Sequence, residues 1–210
     1  MIYNYEQLIG QANTLIEKMR KRRSVRRFSG DEIPIDIIKG AIKIASLAPS
    51  GANMQPWTFV LVQNPEMKIK IREKAEEIEK SFYEKKISTE WKSRLEPLGT
   101  NWQKPFLTEA PYLICVFMQK YGIAEDGSNI KHYYPQESVG ISTGFLIMTL
   151  HLLGISSLTY SPSPNDFLRE MLGRPENEKP FTILVTGYPH SEYIPPSITK
   201  KQESEYLKIF

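Results

Sequence analysis

The sequence has very few residues of the kinds that bind metals or form disulfides. Its 210 residues include one cysteine, Cys115, and three scattered histidines, His132, His151 and His190. A single cysteine cannot form a disulfide within the chain, and no metal-ligand spacing emerges. Cys115 lies inside the apolar run 112–118, which favours a buried small hydrophobe over a nucleophile. We therefore predict no metal, and we expect the reducing environment of the cytoplasm.

The sequence also lacks the marks of several large protein classes. No apolar run approaches the roughly 20 residues that a membrane helix needs, and residues 1–6 do not have the pattern of a secretory signal. No glycine-rich dinucleotide motif, no phosphate loop with its lysine and no nucleophile elbow is present. The formal net charge of +3 is too modest to indicate nucleic-acid binding. We expect no membrane and no nucleic-acid partner.

The chain does contain enough apolar sequence for one domain spanning residues 1–210. Hydrophobic residues make up 40% of it and charged residues 24%, as in ordinary soluble globular proteins. Asn165 is predicted to cap a late helix, and 123–131 is predicted to be a surface loop. The remaining patterns predict helices at 8–19, 35–45, 66–92 and 136–153, a short helix from Pro105, and strands at 58–62, 112–118, 155–160 and 181–185.

Two segments suggest a bound cofactor. Residues 22–28 place four arginines and Ser24 close together, and arginine offers a planar fork of donors suited to a phosphate group. Taken alone, this segment is more typical of a solvated basic patch, or of one that contacts nucleic acid or an acidic membrane. Residues 48–57 follow as a loop of small residues, which would let a flat ligand approach the backbone closely.

Beside these two segments, five short motifs follow along the chain: Trp57-Thr58-Phe59-Val60, Thr100-Asn101-Trp102, His132-Tyr133-Tyr134, Leu172-Gly173-Arg174-Pro175 and Gly187-Tyr188-Pro189. Together, residues 22–28, residues 48–57 and these motifs resemble the iodotyrosine deiodinase family within the nitroreductase superfamily. The resemblance covers about residues 22–201, and we expect a member without a membrane anchor. It implies an α+β, three-layer nitroreductase-like fold with a mixed, mostly antiparallel sheet flanked by helices. It further implies a homodimer that exchanges arms at about 190–210, and a lid at about 66–104, although a plain solvated helix would explain the lid's composition.

The resemblance implies FMN as cofactor, bound between two subunits. Thr159 is the implied catalytic residue, because its hydroxyl would donate a hydrogen bond to flavin N5 and so permit single-electron steps. Lys200 stands where animal members usually have arginine, which keeps the charge but loses the fork. The full set implied to bind FMN is Arg22, Arg23, Ser24, Val25, Arg26, Ser50, Thr159, Tyr160, Ser161 and Lys200.

The resemblance also implies a halotyrosine substrate. Glu79, Tyr83 and Lys104 would bind its ammonium and carboxylate groups, and the backbone N–H of Ala52 would donate to its phenolate. The expected reaction is reductive dehalogenation with electrons from an external donor, either NAD(P)H or an electron carrier. A broader NAD(P)H-dependent nitroreductase or flavin reductase is the first alternative. A flavin- or tyrosine-derivative-binding protein without turnover is the second.

Overall fold

The computed structural model of this chain describes residues 4–85 and 87–210. Residues 1–3, at the N-terminus considered for a targeting signal, and Lys86, inside the predicted helix 66–92, lie outside the described residues. The described helices are α1 (Tyr5–Arg20), α2 (Ile35–Ala45), α3 (Pro65–Lys85), α4 (Thr89–Leu95), α5 (Phe106–Glu109), α6 (Pro135–Leu152), α7 (Phe167–Met171) and α8 (Glu203–Tyr206). The described strands are β1 (Trp57–Val62), β2 (Tyr112–Gln119), β3 (Tyr121–Ile123), β4 (Asn129–Lys131), β5 (Ser156–Tyr160) and β6 (Glu178–Gly187).

Four of the strands form a central sheet in the order β1-β2-β6-β5, and each neighbouring pair is antiparallel. A parallel bridge between Ser24 and Ser157 attaches the arginine segment to the outer edge of β5, so the sheet is mostly antiparallel, as expected. The antiparallel bridge between Phe28 and Pro189 holds the end of that segment. The segment therefore runs beside the sheet edge, at the strand that carries Thr159.

Alternate residues of β2 and β6 face opposite sides of the sheet, as strand geometry requires. Cys115 and Ile183 pack in a core with α3, α5 and α7, whereas Ile114 and Leu184 pack in a second core with α2 and α6. The helices therefore cover both faces of the sheet, and the predicted three-layer α+β arrangement is confirmed. Cys115 is buried as predicted, and burial raises the pKa of its thiol to about 12.

Three local predictions were wrong. The predicted helix 66–92 is interrupted, because the Ser88 hydroxyl accepts a hydrogen bond from Trp91 N at 3.2 Å and begins a separate helix, α4. The predicted loop 123–131 contains the ends of a small hairpin, β3–β4. The Asn165 side chain does not cap α7; its Nδ2 instead donates to the Pro180 carbonyl at 3.1 Å.

Helix α1 buries none of its residues within this chain, although Leu8, Ile9, Leu15 and Ile16 recur along it. Helix α6 buries one side, including Leu146 and Leu150, and exposes apolar side chains on the other. No helix in the described ranges is both long enough and apolar enough to cross a membrane.

Candidate functional site

A cavity of about 680 Å³ lies between α3, α4, the segment before α5 and the end of β5. This volume is within the roughly 300–1,000 Å³ typical of small-molecule sites. Its lining combines aromatic and apolar side chains with a few polar ones. The polar residues among them are Arg26, Glu79, Tyr83, Thr100, Lys104, Thr159, Tyr160, Ser161 and Ser163.

The centre of the cavity is a nearly buried ion pair. The Lys104 ammonium nitrogen lies 3.4 Å from Glu79 Oε2, and the two side chains are only 4% and 16% exposed, respectively. Burial lowers the pKa of Lys104 from 10.5, and the negative charge of Glu79 opposes that shift. Each charge therefore depends on the other for its neutralisation, because an isolated charge in such a place would be strongly disfavoured.

Tyrosine rings flank the lysine on two sides. The Lys104 nitrogen lies 5.5 Å from the ring centroid of Tyr83 and 5.7 Å from that of Tyr160, within cation–π range. Burial raises the pKa of Tyr83, a hydrogen bond with Thr100 opposes this shift, and Glu79 reinforces it. Glu79 and Tyr83 are four residues apart on α3, so their side chains leave the helix on one face.

Lys104 does not lie on a helix or strand, and a neighbouring carboxylate holds its backbone. Glu76 Oε1 accepts from the Lys104 backbone N–H at 2.6 Å and from Arg72 Nε at 2.8 Å. Arg72 also donates to Thr108 Oγ1 at 2.9 Å, which ties the arrangement to α5. The Lys104 side chain donates in addition to the Asn101 carbonyl. The lysine therefore has a fixed position before any ligand arrives.

The end of β5 contributes three residues that differ in orientation. Thr159 is exposed, whereas the next residue, Tyr160, is buried, as expected for alternating positions in a strand. The Ser161 hydroxyl donates to Thr182 Oγ1 at 3.0 Å, which fixes the chain where it leaves the sheet. A hydroxyl is thus available on the surface of β5, next to the buried ion pair.

Comparison with known proteins identifies the family. The family model described as "Nitroreductase family" matches residues 19–188. The chain belongs to the nitroreductase family.

Curated members similar to this nitroreductase-family chain are named iodotyrosine deiodinase. The protein of Haliscomenobacter hydrossis is 44% identical over 205 residues, which are 98% of this chain and 92% of that protein. The protein of Hydra vulgaris is 42% identical over 99% of this chain and 77% of its own length. The human one is 39% identical over 95% of this chain and 69% of its own. The resemblance inferred from the motifs is confirmed.

Solved structures agree with this assignment. A crystal structure of oxidized iodotyrosine deiodinase bound to FMN and 3-iodo-L-tyrosine superimposes with a TM-score of 0.80, at 32% identity, over 93% of this chain and all of that one. An FMN-bound nitroreductase from Bacteroides fragilis gives 0.69 at 22% identity, over 93% of this chain and 98% of that one. At 22% identity, the similarity to the Bacteroides fragilis protein shows the fold alone. Both structures support a nitroreductase-like fold.

The predicted arginine site of this nitroreductase-family chain lies beside the cavity. Arg22, Arg23 and Val25 line a second pocket of about 350 Å³ along the edge of β5, while Arg26 lines the large cavity. Arg23 donates to the Pro196 carbonyl, and Arg27 pairs with Glu109 at 3.1 Å. Within the described residues, Arg22 and Arg26 form no ion pair. Two guanidiniums are therefore available to an anion.

The backbone of Ser24 and Val25 is hydrogen-bonded at the outer edge of β5. The Val25 backbone N–H donates to the Ser157 carbonyl at 3.3 Å, and the Tyr193 hydroxyl donates to the Ser24 carbonyl at 3.3 Å. These bonds fix residues 24 and 25 between β5 and the chain that follows β6. The Ser24 hydroxyl lies next to the arginines by sequence, and its contact with a phosphate stays a prediction.

Four predicted residues line neither pocket within one chain: Ser24, whose backbone contacts are given above, and Ser50, Ala52 and Lys200. Ser50 and Ala52 lie in a tight turn between α2 and β1, which packs against the first turn of α6. The Ser50 hydroxyl accepts from Gln55 N at 3.0 Å, and Ala52 has a φ of 48°. A Cβ added to Gly51 would lie 2.3 Å from the Tyr133 carbonyl oxygen, so only glycine fits there. Lys200 lies exposed in the C-terminal segment. The roles predicted for Ser50, Ala52 and Lys200 stay predictions.

The sequence reading missed the residues that support Lys104. Arg72 and Glu76 lie within the predicted helix 66–92, and their four-residue spacing is the usual signal of a pair on one face of a helix. Asn101 lay inside a motif used for the resemblance, but no pattern showed that its carbonyl would accept from a lysine. The described residues also contain no cluster of three or more histidine, cysteine, aspartate or glutamate side chains arranged to hold a metal.

Proposed function

We propose that the protein is an FMN-dependent oxidoreductase that reductively removes halide from halotyrosines. The observation that supports this most directly is the Glu79–Lys104 pair in a cavity that Tyr83, Tyr160 and Thr159 also line. A related structure contains both FMN and 3-iodo-L-tyrosine. The curated relatives named iodotyrosine deiodinase reach 44% identity.

The residues present suit FMN. A phosphate monoester needs cationic donors, and the positions of Arg22, Arg23 and Arg26 along the β5 edge offer them. Ser24 and Val25 would add contacts from the same segment. The Thr159 hydroxyl would donate a hydrogen bond to flavin N5, with Tyr160 and Ser161 beside the ring. Bound FMN would supply two electrons, one at a time, to the substrate.

An amino-acid zwitterion suits the ion pair because both of its charges find a partner already in place. The ammonium would take Glu79, the carboxylate would take Lys104, and the Tyr83 hydroxyl would complete the cage. A ligand without these groups would leave the buried pair unchanged and gain nothing from it. The ring would lie on the flavin, with its phenolate accepting from the backbone N–H of Ala52. Loss of halide then consumes two electrons and one proton, which is added at the ring carbon.

A second copy of the chain would complete the site. Ser50, Ala52 and Lys200 line neither of the two pockets described above, and the described chain leaves apolar side chains uncovered on α1, α6 and the C-terminal segment. A symmetric dimer would cover them and bring those three residues to the partner's FMN. Residues 190–210 would form the arm that reaches across. The exposed apolar residues include Leu8, Ile9, Leu15, Ile16, Ile141, Phe145, Met148, Ile194, Ile209 and Phe210.

The lid, predicted at about 66–104, divides into two parts by its contacts. Lys68, Ile71 and Ala75 are buried, and Lys68 donates to the Ala110 carbonyl at 2.7 Å, so the first half of α3 is anchored. No residue of α4 is buried, and no residue of α3 beyond Ala75 is. We therefore expect α4 and the second half of α3 to close over the substrate, with Glu79 and Tyr83 moving with them.

The test is an anaerobic titration of the reduced protein with 3-iodo-L-tyrosine, in which flavin absorbance and free iodide are read together. The proposal requires reoxidation of the flavin with one iodide released for each two electrons. Reoxidation by nitroarenes and not by iodotyrosine would favour the broader nitroreductase. Iodotyrosine binding without reoxidation would favour a binding protein. The same preparation, supplied with NADH, NADPH or a reduced electron carrier in turn, identifies the donor.

A further inference from the structure

Tyr160 reaches the amino-acid cage from the sheet side. It is the last residue of β5, it is buried, and its ring packs edge-to-face against Phe106 at 5.4 Å and 73°. Its hydroxyl donates to Glu79 Oε1 at 3.2 Å. Because alternate residues of a strand face opposite sides, this contact does not compete with the Thr159 hydroxyl. The Tyr160 hydroxyl could therefore contact the substrate-binding residues while the Thr159 hydroxyl stays available to FMN.

The Glu79 carboxylate thus has a different donor at each oxygen. Tyr160 holds Oε1, and the Lys104 ammonium lies 3.4 Å from Oε2. Burial, together with the negative charge of Glu79, raises the pKa of Tyr160 above its ordinary 10.0. The phenol therefore keeps its proton at any working pH, and toward a carboxylate it acts only as a donor.

Glu79 and the Tyr160 hydroxyl lie in parts of the fold that differ in burial. Glu79 lies in the half of α3 that buries no residue, whereas Tyr160 lies in a strand of the central sheet. The Lys104 ammonium would share its charge between Glu79 and the carboxylate of a bound zwitterion, and it would then hold Glu79 less strongly. The hydroxyl of Tyr160 can stay in place throughout that exchange.

We propose that Tyr160 is a positioning residue for the substrate ammonium: its hydroxyl fixes one oxygen of Glu79 and leaves the other to exchange Lys104 for the ammonium. This inference rests on the proposed function and deepens it. It adds a fixed point on the sheet to a cage whose other members, Glu79, Tyr83 and Lys104, belong to the lid and the segment that follows it. Tyr160, a residue of the central sheet, would then contribute to the selectivity for ligands that carry an ammonium group.

The variant that tests it is Tyr160→Phe, which keeps the ring against Phe106 and Lys104 and removes only the hydroxyl. The ligands are 3-iodo-L-tyrosine and 3-(4-hydroxy-3-iodophenyl)propanoate, which has the same ring and carboxylate but no ammonium. Because a hydrogen bond to a charged group is lost, we expect the Kd for iodotyrosine to rise about tenfold. We expect the Kd for the propanoate to change less than about twofold, since no ammonium depends on Glu79.

Tyr112→Phe is the matched control, because it also removes a buried phenol hydroxyl, here one that donates to the Ile33 carbonyl at 2.8 Å. It should leave the ratio of the two Kd values unchanged. In a Glu79→Gln background, Tyr160→Phe should add less than about twofold, because residues that act through one another are not additive. A tenfold effect in that background would mean that Tyr160 acts independently of Glu79 and would overturn the proposal.

An unchanged Kd for iodotyrosine in Tyr160→Phe, or an equal loss of affinity for both ligands, would also overturn it. Either result leaves the proposed function intact as long as the wild-type protein binds and dehalogenates iodotyrosine. A wild-type protein that does not bind iodotyrosine would overturn both. The flavin content of each variant, measured by absorbance, separates an effect on the cage from an effect on FMN.

Discussion

Replacing Glu79 by glutamine removes one charge of the buried pair and keeps the size of the side chain. The substrate ammonium then meets a neutral amide, and Lys104 loses its nearest counter-charge. Burial already lowers the pKa of this lysine, and Glu79 is the first group that opposes the shift. Glu79→Gln therefore weakens both halves of zwitterion recognition, the acceptor directly and the lysine through its pKa.

The size of the effect follows from the geometry. Two unit charges 3.4 Å apart attract each other by roughly 5 kcal/mol at an effective dielectric constant of about 20, before any desolvation is counted. Removing one partner of a buried charge pair costs about 2–5 kcal/mol in measured complexes. Since glutamine keeps one acceptor oxygen, we take about 3 kcal/mol, which corresponds to a rise in Kd on the order of 100-fold.

The assay is a titration of the oxidised holoprotein with 3-iodo-L-tyrosine, followed by flavin fluorescence. Glu77→Gln is the matched control, because Glu77 lies on the same helix, is 68% exposed, and pairs only with Lys74 in the described structure. Its Kd should stay within about twofold of the wild-type value, as for a surface pair. Flavin content should be the same in all three proteins. Equal affinity of Glu79→Gln and wild type would mean that a different carboxylate binds the ammonium.

Three further predictions address pH, the turn and the interface. The Kd for iodotyrosine should rise as the pH increases through the pKa of Lys104, which burial lowers below 10.5, because binding of the substrate carboxylate needs the protonated lysine. A pH titration of affinity checks this. Gly51→Ala should lower the free energy of unfolding by about 1–3 kcal/mol, and with it the thermal midpoint, since the added Cβ would lie 2.3 Å from the Tyr133 carbonyl oxygen. Gly40→Ala, with nothing within 4 Å, should raise the midpoint slightly. Phe145→Glu on the exposed side of α6 should yield a monomer with less bound FMN in sedimentation experiments, whereas a flavin-loaded dimer would contradict the proposed interface.

The sequence predicted the elements that its periodicity describes well. Strands such as Trp57–Val62 and the apolar helix Pro135–Leu152 agree with their patterns to within a residue or two. The break between α3 and α4 was missed because charged residues favour a helix on both sides of it, and the serine cap is a single residue. The short hairpin β3–β4 was missed because three-residue strands carry almost no periodic signal.

The site was less accessible to reasoning from the residues alone. Composition could not distinguish Glu79 from Glu76 or Glu77, and only the family resemblance pointed to it. The structure gives these three carboxylates different partners: Glu76 accepts from a backbone N–H, Glu79 pairs with Lys104, and Glu77 stays at the surface. Such differences depend on where the segment before α5 returns to α3, which no local pattern in the sequence encodes.

The bridge between Ser24 and Ser157 has a consequence for how the protein behaves without its ligand. Strand β5 is the last strand of the sheet, and an uncovered outer strand invites pairing with another chain. The segment that shields it is the same one whose arginines are available for a phosphate. Loss of a phosphate-bearing ligand would loosen that cover, so solubility during expression would depend on the supply of the ligand as well as on the fold.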